Sequence, residues 1–69
     1  MKVKRKIKEE FENQMGLKEC DLEDPKYLNQ SRESIDGKCK NFYEDEFNCK
    51  LTIDSKNDRI VKSECEKEN

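Results

Sequence analysis

The sequence predicts an α+β fold, with two N-terminal helices packed on a three-stranded antiparallel β-meander that is stapled by disulfides. Three observations lead there. Apolar and polar residues alternate from Phe47 to Asp54, apolar residues recur at helical spacing from Val3 to Met15, and four cysteines are present in 69 residues. A chain this short buries a modest core, and only 30% of its residues are hydrophobic while 46% are charged. Ordering each residue costs about 1.5 kcal/mol, and a core of this size leaves roughly 3 to 5 kcal/mol of net stability, so a staple is expected.

Taken in order, Val3, Ile7, Phe11 and Met15 recur every four positions, and Gly16 stands where a helix cap would. The spacing predicts a first helix over about 2–15. Its first turn is expected to fray, because Lys2, Lys4, Arg5, Lys6 and Lys8 crowd the end where the helix dipole prefers anions. The segment from Leu17 to Glu23 reads as a connection carrying Cys20. Asp24 and Pro25 then read as an N-cap and first helical position, with Tyr27, Leu28, Ser31 and Ile35 at helical spacing and Gly37 as the stop. That predicts a second helix over about 25–35.

The remainder reads as three strands, over about 38–43, 46–54 and 59–65. Cys39, Asn41 and Tyr43 would share a face of the first, an edge strand whose lysines discourage association. Phe47, Cys49, Leu51 and Ile53 line one face of the second. Pairing Asp54 with Ile60 across a five-residue loop sets Ile53 against Val61, Leu51 against Ser63 and Cys49 against Cys65. This register gathers both thiols and every apolar residue except Ile60 on one face, and a one-residue slip scatters them. The chain reads as a single small domain, with no internal repeat or linker.

An even cysteine count in so short a chain reads as two disulfides. The register favours Cys49 with Cys65, which leaves Cys20 for Cys39. Closing the first loop contributes roughly 3 kcal/mol by chain entropy. A zinc site fits poorly, because zinc ribbons bring their ligands in close C-x-x-C pairs and no two cysteines here are nearer than Cys39 and Cys49. Reduced thiols acting as small hydrophobes are the remaining alternative. An extracytoplasmic setting, periplasmic or secreted, is slightly favoured if an export signal was removed, and a cytoplasmic one otherwise. The basic start resembles a signal-peptide n-region but no apolar stretch follows.

Chemistry is sparse. The chain has no histidine, which removes the commonest general base and metal ligand. The hydroxyls have no partner base at a recognisable spacing, and there is no phosphate-cradling glycine loop. No catalytic residue, metal site, cofactor or small-molecule substrate is expected. Residues 54–58 place oxygens at alternate positions, but Lys56 falls where a calcium loop needs a ligand, so a polar turn is the better reading. Asn29, Gln30 and Ser31 match the glycosylation pattern, which arises often by chance.

What remains is charge. Lys2, Lys4, Arg5, Lys6 and Lys8 give the first eight residues +5, against ten bases and seventeen acids, or -7, in the rest. Glu44, Asp45 and Glu46 form an acidic turn. The pattern points to a small non-enzymatic module that binds or inhibits another protein, through the basic helix or an acidic sheet surface in which Glu44, Asp45 and Glu46 are the contact candidates. Two other readings compete with it. One is an intracellular accessory protein, of phage or mobile-element type, that blocks a nucleic-acid-processing enzyme with its carboxylates. The other is contact of the basic helix with an anionic membrane or nucleic acid, disfavoured because Val3, Ile7 and Phe11 belong to the core.

Overall fold

The structure, a computed structural model, describes residues 3–68. One helix, α1 (Arg5–Met15), precedes five strands: β1 (Leu17–Leu22), β2 (Lys26–Asn29), β3 (Arg32–Asn41), β4 (Glu46–Asp54) and β5 (Arg59–Lys67). All pairings are antiparallel, in the order β1, β3, β4, β5. β2 also pairs with β3, beside Arg32 to Ser34, while β1 pairs beyond it at Gly37 to Asn41. β1 and β2 are therefore one edge of the sheet, interrupted at residues 23–25.

This arrangement overturns the expected two helices on a three-stranded meander. The predicted second helix over 25–35 is instead β2, a turn and the start of β3. One non-local term and one local one outweigh the helical spacing. Ile35, Gly37 and Cys39 alternate on the face where Leu51, Cys49 and Phe47 lie opposite them. Asn29, read as helix interior, makes a turn instead, its Oδ1 accepting the Ser31 N–H at 3.1 Å. Pro25 and Asp24 cap nothing; they fall in the break between β1 and β2. The expected connection at 17–23 is β1.

Gly37 is not a helix stop but the middle of β3, buried where β1 crosses. A Cβ there would lie 2.6 Å from Leu22 Cδ2 and 2.8 Å from the Asp21 carbonyl oxygen. Glycine in a strand interior marks such a close approach.

α1 begins at Arg5 rather than Lys2. Lys4 is extended (ψ 142°) and offers no side-chain cap, and the first turn has no acid to offset its cations. Gly16 ends the helix in the left-handed region (φ 66°), its N–H donating to Glu12 O. The helix lies across one face of the sheet, against β1 and β5, and buries Ile7 and Phe11. Its Glu12 carboxylate accepts the Cys20 N–H at 3.1 Å. That donor is freed by a bulge in β1, where Glu19 is left-handed (φ 50°) and the register with β3 shifts between Lys18 and Asp21. The same bulge lets Leu17 and Cys20, three apart, both turn inward.

The core is Ile7, Phe11, Leu17, Cys20, Ile35, Cys39, Cys49, Leu51 and Ile53, so three of its nine members are half-cystines. No polar or charged residue is buried among the described residues. Disulfides join Cys20 to Cys39 and Cys49 to Cys65, each with its Cα atoms 4.1 Å apart. At the sulfurs the β4–β5 register is Cys49 opposite Cys65 and Leu51 opposite Ser63. Nearer the turn it differs from the expected one. Ile53 faces Ile60 and Asp54 faces Arg59, so the loop has four residues and Val61 is the extra residue of a bulge. Ile60 is thereby partly buried against the core while Val61 is 50% exposed, the reverse of the predicted assignment.

Replacing Gly37 with alanine should cost about 1 to 3 kcal/mol, because backbone as well as side chain must move away from the new methyl. Chemical denaturation of oxidised G37A against the parent checks this. Adding Leu22→Ala should recover only part of the loss, since the Asp21 carbonyl remains in the way.

Candidate functional site

β3 ends at Asn41, not at residue 43 as the alternation predicts, because Asn41 redirects the chain. Its carbonyl accepts the Glu44 N–H at 3.1 Å and closes a four-residue turn. Its own N–H donates to Asp45 O at 3.1 Å. Its side-chain Oδ1 accepts the N–H groups of Tyr43 (2.9 Å) and Asp45 (3.0 Å), and its Nδ2 donates to Asp45 Oδ2 at 3.2 Å. Glu44 takes the left-handed conformation (φ 68°) that lets the strands rejoin after such a turn. One asparagine thus bonds to three of the four residues that follow it, Tyr43, Glu44 and Asp45.

Phe42 and Tyr43 occupy the two corners of this turn, 71% and 86% exposed. Beside them is a cleft of about 330 Å³ lined by Met15, Gly16, Leu17, Asn41, Phe42, Tyr43, Phe47 and Cys65. None of these side chains is charged, in a chain in which 46% of residues are. Three other depressions, one on the outer sheet face and two near the start of α1, all include charged side chains. Tyr27 and Leu28 on β2 are also exposed, but no uncharged cleft adjoins them.

The acidic candidates flank this tip and are partly occupied. Glu44 pairs with Lys18 at 3.3 Å and Asp45 with Lys67 at 3.8 Å, while Glu46 starts β4 opposite Lys40. Among the basic candidates, Lys2 lies outside the described residues and Lys4 is bonded to Asp58 at 2.6 Å. Arg5, Lys6 and Lys8 have Glu9, Glu10 and Glu12 one helical turn further on, so acids interleave with the bases along the helix. The outer sheet face follows the same rule, with Lys50 between Asp36 and Glu64 across the strands. The cysteine candidates are all in disulfides.

The carboxylates at the turn over 55–58 are already engaged, Asp58 by Lys4 and Asp54 by the turn itself. A hydrogen bond from the Asn57 side chain (3.0 Å), then one from the Lys56 N–H (2.9 Å), with Arg32 at 3.6 Å, holds the Asp54 carboxyl below its ordinary pKa. Among the described residues no group of three or more His, Cys, Asp or Glu is placed to hold a metal ion, and no helix is long and apolar enough to cross a membrane.

Sequence reasoning passed over Phe42 and Tyr43 by extending the strand through them. The available signal was Asn41, a residue favoured at the first position of such turns, followed by two aromatics that alternation cannot both bury. Comparison with known proteins finds no family model that matches this chain, no similar curated protein and no similar solved structure.

Replacing Asn41 with alanine leaves the Tyr43 and Asp45 N–H groups without their acceptor. Water can reach both groups, so the loss should be about 1 kcal/mol, and the tip should be released, seen as faster amide exchange at residues 43 and 45. At the opposite end, the lowered Asp54 pKa stabilises the folded turn fully above the ordinary aspartate value of about 4, and that contribution is lost as pH falls from there through the lower folded-state pKa. The Lys56 amide shift should report this transition below the ordinary aspartate range, and it should vanish in D54N.

Proposed function

We propose that this chain is a non-enzymatic protein-binding module, suited to inhibition, that inserts the Phe42–Tyr43 tip into an apolar pocket of its partner. The observation that carries this reading is a rigid turn that spends five hydrogen bonds of Asn41 to hold two aromatic side chains in solvent. Aromatic anchors dominate binding energy at protein interfaces, and a pre-ordered loop loses little entropy on docking. The uncharged cleft beside the tip supports it by giving a partner side chain a place to enter in return. The interleaved charges of the helix and sheet face count against steering by nucleic acid or lipid.

Two disulfides are compatible with an oxidising, extracytoplasmic setting. We propose a periplasmic or secreted setting, which the disulfides support; mass measurement after alkylation of protein taken from its native source should find no free thiol.

A photo-crosslinking residue at position 43, introduced in the native source, should capture a defined protein that the same residue at position 50, on the polar sheet face, does not. With that partner in hand, F42A and Y43A should each weaken binding by about thirtyfold, the ~2 kcal/mol expected of an interface anchor. Equal capture from position 50, or alanine variants that bind within twofold of the parent, would overturn the proposal.

A further inference from the structure

The two edges of the sheet differ. The β1–β2 edge is broken by the bulge at Glu19, by residues 23–25 and by a second register shift between Tyr27 and Asn29. β5 is regular from Lys62 to Lys67. Its hydrogen-bonding sense follows from one bond, the Glu68 N–H to Glu46 O at 2.8 Å, which makes 46 and 68 a hydrogen-bonded pair. Because such pairs alternate along an antiparallel ladder, Phe47–Lys67, Cys49–Cys65 and Leu51–Ser63 are the non-bonded ones. The backbone N–H and C=O of Ser63, Cys65 and Lys67 therefore point away from β4, to the free edge.

We infer that β5 pairs with β5 of a second copy of this chain, antiparallel and two-fold symmetric about Ser63, joining two sheets into one. The occupant is chosen by charge. An outward-pointing residue must face another, so the two-fold axis passes through a residue position. About Ser63, Lys62 on the outer face stands opposite Glu64 of the second copy, and Glu64 opposite its Lys62. About Lys62, Glu64 or Glu66, a charge would face its own copy, and about Cys65, Glu64 would face Glu66. Ser63 alone sets opposite charges beside the axis, at 62 and 64; further out Arg59 falls toward Lys67, beyond the bulge at Val61 that ends the regular ladder. The same register brings Val61, half exposed in the monomer, opposite Cys65. The Phe42–Tyr43 tips lie off β5, toward opposite ends of the joined sheet, and only Cys65 is shared between the cleft and the pairing, so sedimentation tests this pairing apart from the crosslinking that tests the proposed function.

Sedimentation equilibrium of the oxidised full chain, from about 10 µM to about 1 mM, should show a reversible dimer. By symmetry a single reversal converts two attractions into two repulsions, so K62E and E64K should each weaken dimerisation by about tenfold. The double variant K62E/E64K should restore it to within about threefold. E64K also sets a lysine opposite Lys50 within the chain, so circular dichroism checks that each variant is folded. S63P is the second test. It removes an outward N–H and no bond to β4, a position an edge strand tolerates, so the chain should stay folded and become monomeric. A chain monomeric up to about 1 mM, a dimer indifferent to the charge reversals, or one that survives S63P would overturn the inference.

Discussion

The sheet is held across its width by two sulfur bonds, one to each of its outer strands β1 and β5. β3 and β4 share the longest uninterrupted ladder, nine residue pairs from Arg32–Asp54 to Lys40–Glu46. Each outer strand is then bonded covalently to its inner neighbour, β1 through Cys20–Cys39 and β5 through Cys49–Cys65. The loops closed are short, with separations of 19 and 16, and each is worth about 3 kcal/mol by chain entropy. Against the few kcal/mol that a domain of this size retains, either bond is comparable to the whole net stability. The half-cystines also fill volume. Cys39 and Cys49 sit on the helix-facing side among Ile35, Leu51 and Phe11, where a chain so rich in charge has few other side chains to put.

That dependence on sulfur explains how much of the fold could be read from the residues. β4 was legible to both its ends, because one wet and one dry face leave the period of two unmistakable. The opposition of Cys49 to Cys65 was legible with it. The turn end of the same hairpin was not, because a bulge at Val61 exchanges the faces of Ile60 and Val61 and leaves no compositional mark. Residues 25–35 misled for a related reason. β2 is exposed along its whole length and so has no alternation to display. Asp24, Pro25, Asn29 and Gly37 are residues that helix boundaries and turns share. β2 pairs with the adjacent β3, and what makes β3 a strand is β4, whose residues opposite Arg32 to Ile35 lie about 16 to 22 positions away in sequence. Of the candidate site, the acidic flank was visible as composition, whereas the aromatic corners needed the bonding of Asn41, which is geometry.

The staple and the tip are parts of one construction. Gly16 reverses the chain at the end of α1, and Leu17 immediately pairs with Asn41, so the helix end, the start of β1 and the hairpin tip meet at one end of the molecule. Cys65 and Phe47 form the wall of the cleft on the other side. Met15 closes over them, with the Ser63 hydroxyl donating to its sulfur at 3.7 Å. The Cys49–Cys65 bond therefore holds β5 in the position that gives the cleft its second wall. Rigidity at the tip is local, from Asn41, but the shape of the cleft beside it is set by the covalent closure of the outer strand.

Charge is what makes the uncharged places informative. On the helix each of Arg5, Lys6 and Lys8 is followed a turn later by a glutamate, and on the outer sheet face Lys50 stands between Asp36 and Glu64 and Lys40 beside Glu46. Such surfaces generate weak fields and favour no particular partner beyond a few ångströms. They keep an 8.3 kDa chain with little core in solution at small cost to the compact state. A surface that is self-neutralising nearly everywhere leaves short-range contact as the main source of specificity. Short-range contact needs groups that are fixed before the partner arrives. The bonds around Asn41 fix two aromatic rings in that sense, and the outward amides of β5 are fixed by the ladder behind them. Both lie on elements that the disulfide-bonded strands hold in place, so the sulfur that compensates for a small core also determines which surfaces are rigid enough to recognise anything.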